Sequence, residues 1–364
     1  MATVTGTKFG YSFYCDLFGV VLVGRWQQIR NYVLVRLLLA PVMLWTVVTL
    51  VFLLLRATPG DPVDAIYGGR APASVKEALR VQLGLDQPLW GQYLAYLGQL
   101  LRGDLGTSLT EPGRSVGEII GAYLPATVEL GLAGFLVAAG LGVGLGLMTG
   151  SRPESSPLAI GGKVFSLVSY AVPLFWLGML LQLWLSVNWR WFPLGVRFPV
   201  QEMPPAGATG LYVLDSLLAG NWRQLRIALH HLALPSVTLG VVLSGLLERM
   251  VRVQVRAQWR GDYVEAARAR GIPVRWLLGH HVLPNALIPV VALLGLTLAS
   301  LLGGAIVTEV TFSWPGLANR LYEAINLRDY PTVQGIVVFL AVVVVVLSIL
   351  IDVLTAFIDP RVRL

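Results

Sequence analysis

Charge is scarce in this chain. Asp, Glu, Lys and Arg make up 13% of its 364 residues and 55% are hydrophobic, whereas soluble domains carry roughly 25% charged residues. A chain so poor in polar groups cannot clothe a soluble surface. Cysteine is nearly absent. Cys15 stands alone, which excludes an internal disulfide and any metal site built from several thiolates. No glycine-rich loop ending in Lys-Ser or Lys-Thr occurs, so the chain does not bind and hydrolyse ATP by that route. A nucleophile elbow and a zinc-protease helix motif are missing too. The formal charge is +7, but the arginines stand beside apolar runs and form no exposed basic domain. They point to a lipid membrane and not to nucleic acid.

Long apolar runs fill the sequence instead. A helix needs about 20 apolar residues to cross the hydrocarbon core. Residues 37–55, 164–188, 232–247, 284–308 and 330–351 carry no charge, and 124–149 carries only Glu129. The expected fold is therefore an all-α integral membrane protein with six transmembrane helices. The candidate inner segments 1–36, 150–163, 249–283 and 353–364 together hold 15 Lys and Arg, against 6 in the short outer loops 189–231 and 309–329. Basic residues favour the cytoplasmic side, so both termini are expected there. Residues 56–123 become a long outer loop and 249–283 a cytoplasmic loop.

Two flanking regions have their own character. Residues 17–23 are apolar but lie between Asp16 and Arg25, with no small-residue cleavage site after them. Segment 1–32 reads as cytoplasmic or interfacial rather than as a signal peptide or a seventh span. The outer loop is structured: after a turn cluster at residues 59–62, Trp90, Tyr93, Leu94, Leu97, Leu100 and Leu101 recur at helical spacing. This helix is expected to pack on the outer ends of the spans. Trp189, Trp191 and Phe192 suit an aromatic belt.

Several patterns have ordinary explanations. Gly140, Gly142, Gly144 and Gly146 lie inside an apolar span, where small residues let helices approach closely. The pairs His230-His231 and His280-His281 point to different sides of a helix and chelate poorly. Glu248, Glu309 and Asp352 lie near span ends, where snorkelling or helix-end pairing is expected. Glu129 has two readings left open, a charge on a translocation path or a helix-end charge.

The most informative stretch is 260–285, RGDYVEAARARGIPVRWLLGHHVLPN. Asp262 is expected to cap a helix, with Glu265 completing a capping box. Ala266, Ala267 and Ala269 keep its surface low, beside Arg268 and Arg270. Gly271 suits the left-handed position after the helix, and Pro273 follows. A second helical piece, 274–282, leads into the next span. Such a short helix fits a groove on a partner.

Here the sequence resembles a family. Glu265, Ala266, Ala267, Gly271, Leu283 and Pro284 are similar to the Glu-Ala-Ala loop of bacterial ABC importer permeases, with His281 where that pattern often has isoleucine. ATPGDP at 57–62, LGLDQPL at 83–89, RGDLGTSL at 102–109, the stretch 312–335 and IDPRVRL at 358–364 resemble the dipeptide, oligopeptide and nickel group. The long outer loop resembles the first of the two paired permeases of that group. The resemblance covers the chain from about residue 33 onward. It implies a type I importer transmembrane domain over 33–364, in the bacterial inner membrane, carrying di- or oligopeptides, with nickel or glutathione as alternative solutes. The implied partners are a second, different permease, two ATP-binding subunits that hold ATP and magnesium, and an extracytoplasmic solute-binding protein. This chain would hold no cofactor or metal and catalyse no bond chemistry. Asp262, Tyr263, Glu265, Ala266, Ala267, Arg270, Gly271, Leu283 and Pro284 would couple it to an ATPase subunit. Two rivals from other classes are an ion-driven secondary transporter and an intramembrane enzyme.

Overall fold

The structure, a computed structural model, describes residues 10–57, 63, 72–82 and 84–358, with backbone alone for 10–32. The segments at 57–62 and 358–364 that carry part of the resemblance fall largely outside the described residues. Helices dominate: α1 (Gly10–Ala57), α2 (Ala73–Gln82), α3 (Leu89–Leu101), α4 (Val116–Gly150), α5 (Pro157–Ala171), α6 (Leu174–Leu181), α7 (Tyr212–Leu218), α8 (Trp222–Trp259), α9 (Asp262–Ala269), α10 (Val274–Leu277), α11 (Leu283–Thr311), α12 (Leu317–Asn326) and α13 (Tyr330–Ile358). Wider π-type turns extend α6 over Gln182–Asn188 and join α10 to α11 over Leu278–Val282.

Among the described residues five helices are long and apolar enough to cross a membrane. They fall on five of the six expected spans. The first belongs to a helix that runs unbroken from Gly10, through Pro41, to Ala57. The third expected span requires correction. Residues 164–188 do not form one straight helix, because α5 and α6 meet at a bend of 102°. The cause is Pro173, which restricts Val172 to extended backbone, φ −77° and ψ 125°. Pro173 also has no N–H to continue the ladder.

The bundle is organised around α4 and α8. Gly134, Gly142, Gly146 and Gly150 of α4 face Leu239, Leu247, Val251 and Val255 of α8 in constant register, so the two helices run parallel. A Cβ on Gly150 would stand 2.8 Å from the Val255 Cβ. The expected small-residue approach is therefore present, on every fourth residue, while Gly140 and Gly144 face open space. The outer-loop helix α3 docks on α1 through Tyr93, whose hydroxyl pairs with the Thr49 hydroxyl at 2.6 Å. Phe52 lies against the rings of Tyr93 and Tyr96. Ser115 and Glu118 form a reciprocal capping box at the start of α4.

Candidate functional site

The helix singled out in the sequence, α9, hangs from the end of α8. Its start differs from expectation. Gly261, not Asp262, is the N-cap, in extended backbone with no side-chain cap bond. The Gly261 carbonyl accepts from the amides of Val264 and Glu265. The capping box expected of Asp262 and Glu265 is absent because both lie within the first turn. There their charges favour the positive end of the helix without closing a ring.

The C-terminal end agrees with expectation. Gly271 adopts φ +74°. Its amide donates to the Arg268 carbonyl, and the Ile272 amide donates to that of Ala267. This double bond pattern closes the last turn and directs the chain into α10.

Val264 and Ala267 are buried. Val264 packs with Val251, Val255, Val282 and Ala286, and Leu283 leans on the same cluster. The helix is thereby tied to α8 and α11 by one apolar edge. Its opposite face, Asp262, Tyr263, Glu265, Ala266 and Arg270, is exposed, as are Gly271 and Pro284. The Tyr263 hydroxyl donates to Gln258 Oε1 at 2.7 Å. Arg268 lies over the Trp259 ring, 5.0 Å from its centre. The structure thus gathers eight of the nine predicted coupling residues at one end of the bundle around this cluster, and places Pro284 just beyond them in the first turn of α11.

Glu129 lies elsewhere. It is buried in α4 and accepts from Arg197 Nη2 at 2.6 Å, Arg197 Nε at 3.0 Å and the Val213 amide at 2.7 Å. Arg197 also donates to the Gly210 carbonyl and stacks on Tyr212. The pair clasps the loop before α7 onto α4. Glu248 and Glu309 do not snorkel; both are fully buried. Glu248 pairs with Arg252 at 3.0 Å and accepts from Thr149. Glu309 accepts from Thr127 Oγ1 and from the Asn319 amide. Asp352 pairs with Arg36 at 3.1 Å, the helix-end pairing expected.

The end of the bundle that carries α12 holds a polar network the sequence did not reveal. The 104–116 segment folds back on itself and presents Ser108, Leu109 and Thr110 to Asp329, whose carboxylate accepts from all three. Burial alone would push the Asp329 carboxyl up. The bonds from Ser108, Leu109, Thr110 and Thr332 outweigh it and hold the group below the usual aspartate range. Buried Arg320 bridges Glu111 at 2.6 Å and Glu323 at 3.3 Å. Trp314 Nε1 donates to the Ala126 carbonyl. The first histidine pair serves structure: ring nitrogens of His230 and His231 meet the carbonyls of Trp191 and Val196.

Residues 142–364 match the family described as the binding-protein-dependent transport system inner membrane component, and residues 29–129 match the N-terminal module of such membrane components. The chain belongs to this family. A dipeptide transport system permease protein of Alkalihalophilus pseudofirmus is 36% identical over 328 residues, covering 90% of this chain and 97% of the relative. A di/tripeptide transport system permease protein of Pseudomonas aeruginosa is 38% identical, covering 87% and 94%. A probable D,D-dipeptide permease of Escherichia coli is 37% identical, covering 87% and 92%. As a family member the chain is an all-α permease subunit of an ABC importer, multi-pass in the inner membrane, and not an enzyme. ATP hydrolysis belongs to separate subunits, and the assembly contains a partner permease, ATPases and a binding protein. Membership displaces the ion-driven and enzymatic rivals.

Proposed function

We propose that this permease carries di- and tripeptides inward and that α9 couples it to an ATP-binding subunit. The observation that carries the coupling is the two-faced build of α9. One edge, Val264 and Ala267, is locked into the bundle, while Asp262, Glu265, Ala266 and Arg270 are exposed with no ion pair among the described residues. A helix held this way transmits displacement as a rigid body. The relatives' printed substrates and the similarity over nearly the whole chain support peptides as the solute. The partners in this reading are a different permease, two ATPases that bind ATP and magnesium, and an external solute-binding protein. The arginine bias of the inner segments supports cytoplasmic termini and a cytoplasmic α9.

The test is reconstitution in liposomes with these partners, scoring ATP-driven uptake of labelled dialanine, nickel and glutathione. Dialanine uptake alone supports the reading; uptake of nickel or glutathione alone replaces the solute. Orientation is checked in a Cys15→Ser background. Met203→Cys should react with an impermeant thiol reagent from outside and Ala257→Cys only from inside.

A further inference from the structure

The outer-loop helix α3 presents three faces. Tyr93 and Tyr96 pack on α1, where the Tyr93 hydroxyl meets Thr49 and both rings meet Phe52. Gln92, Ala95 and Gln99 line a cavity of about 440 Å³, together with Asp104 and Thr107. Trp90, Leu94, Leu97 and Leu101 make the third face, at the i, i+4, i+7 and i+11 spacing of a single helix stripe. The described residues leave this stripe open. Trp90, Leu94 and Leu101 are exposed, Leu101 by 90%, and Leu97 is half-buried.

Depth says what covers the stripe. The charge-free run 37–55 of α1 is about 28 Å long as a helix, which matches the hydrocarbon core. Thr49 and Phe52 lie inside the end of that run, about 9 and 5 Å below its edge by the helical rise. Because α3 meets α1 at these two residues, it sits where interfacial helices rest, with an apolar face about 5–10 Å into the boundary between headgroups and acyl chains. Leu50, Leu53 and Leu54 of α1, at the same level, are exposed as well. Charge agrees with depth. No charged residue stands between Asp86 and Arg102, so α3 carries none, whereas α2 of the same loop carries Lys76, Glu77 and Arg80. A charge-free amphipathic helix with a tryptophan at its start suits the edge of a bilayer.

We propose that α3 is an interfacial helix whose stripe of Trp90, Leu94, Leu97 and Leu101 rests in lipid, in the leaflet at the Ala57 end of α1. That leaflet is the outer one in the orientation proposed above. Gln92 and Gln99 keep the opposite face on the polar cavity. Asp86 and Arg102, both exposed, flank the helix at headgroup level. The occupant of the stripe is the bilayer itself, and the long loop is pinned to it independently of any solute and of α9.

The experiment places a nitroxide spin label on single cysteines, Leu94→Cys, Leu101→Cys and Gln99→Cys, in the Cys15→Ser full chain. Each variant is held at one copy per lipid nanodisc. Power-saturation spectroscopy compares collisions with oxygen, which concentrates in lipid, and with a water-soluble chromium oxalate. The expected result is a several-fold higher ratio of oxygen to chromium collisions at Leu94 and Leu101 than at Gln99. Should the label at Leu94 disturb folding, Leu101 reads the same stripe from a site with almost nothing against it. Equal ratios on the two faces mean that α3 stands wholly in water or lies wholly buried, and either overturns the proposal. Labels at Leu94 and Leu101 shielded from both reagents mean that the chain itself covers the stripe, which overturns it too. The measurement is repeated on the importer assembled with its partner permease, ATPases and binding protein. An unchanged ratio supports lipid as the occupant. Shielding that arises only in the assembly would give the stripe to a protein partner and overturn the assignment to lipid.

Discussion

The two ends of the bundle are built on opposite plans. At the α12 end, the 104–116 segment, α12 and the start of α13 are stitched together by Asp329, Arg320 and Glu309, all buried. At the α9 end, one short helix hangs by Val264 and Ala267 and leaves its charges exposed. The first arrangement spends polar groups on holding loops still. The second withholds them for another surface. Buried polar networks fix geometry at the risk of a large loss when one member goes, whereas exposed charges contribute little to the fold. A device that must stay put and a device that must be grasped are thus told apart by where their charged groups find partners.

The comparison can be broken most forcefully at Asp329. Asp329→Ala orphans the donors of Ser108, Leu109 and Thr110 and should destabilise the chain by roughly 3 kcal/mol or more. Thermal unfolding in nanodiscs would record it as a large drop in Tm. An unchanged Tm would show that the network is ornamental. Gly271→Val comes next. No neighbour lies within 4 Å of the added Cβ, so the only penalty is the positive φ, roughly 1–2 kcal/mol. Tm should shift modestly while reconstituted uptake and solute-stimulated ATPase activity fall together. Wild-type uptake in that variant would reduce α9 to a connector.

Acid sharpens the contrast. The Asp329 carboxyl is held below its ordinary value when folded, so its contribution is full above an unfolded pKa of about 3.9. It is lost as pH falls through the folded value. Resistance of the 104–116 segment to pepsin should therefore weaken as pH falls below about 3.9, and Asp329→Asn should flatten that dependence. The smallest effect is expected at Asp262. It makes no cap bond, so Asp262→Ala should cost only about 0.3–1 kcal/mol through the helix dipole. A larger loss would restore the capping role that the structure denies it.

What the sequence disclosed follows from range. The spans were legible because an apolar run declares itself residue by residue. Gly271 was legible because a helix end with Pro273 two residues on leaves few backbone choices. The α12 network was not, since Ser108 and Asp329 lie 221 positions apart and neither carries a local signal. Glu129 and Arg197, 68 apart, were hidden in the same way. Two further features do carry a local signal. Val172-Pro173 in mid-run announces the bend, and Glu248 with Arg252 stands at the spacing of a helical ion pair. The cap falls at Gly261 and not at Asp262 because a glycine caps nearly as well as a side-chain acceptor.

The bend at Val172-Pro173 also bears on the life of the chain before assembly. Proline leaves the Ser169 carbonyl without its usual donor; Ser169 itself is buried, while Tyr170, Ala171 and Pro173 beside it are exposed. Hydrocarbon cannot solvate such a carbonyl, and irregular backbone at membrane depth persists only against protein or water. If that carbonyl reaches lipid in a lone copy, the quality-control proteases of the membrane have a flaw to sense, and cover by a partner permease would conceal it. Pulse-chase decay of the chain, expressed with and without that companion, should show a longer half-life in its presence. Equal decay would mean the bend is already shielded within a single copy. The same proline that breaks the third span would then act as a timer, sparing only subunits that find their place.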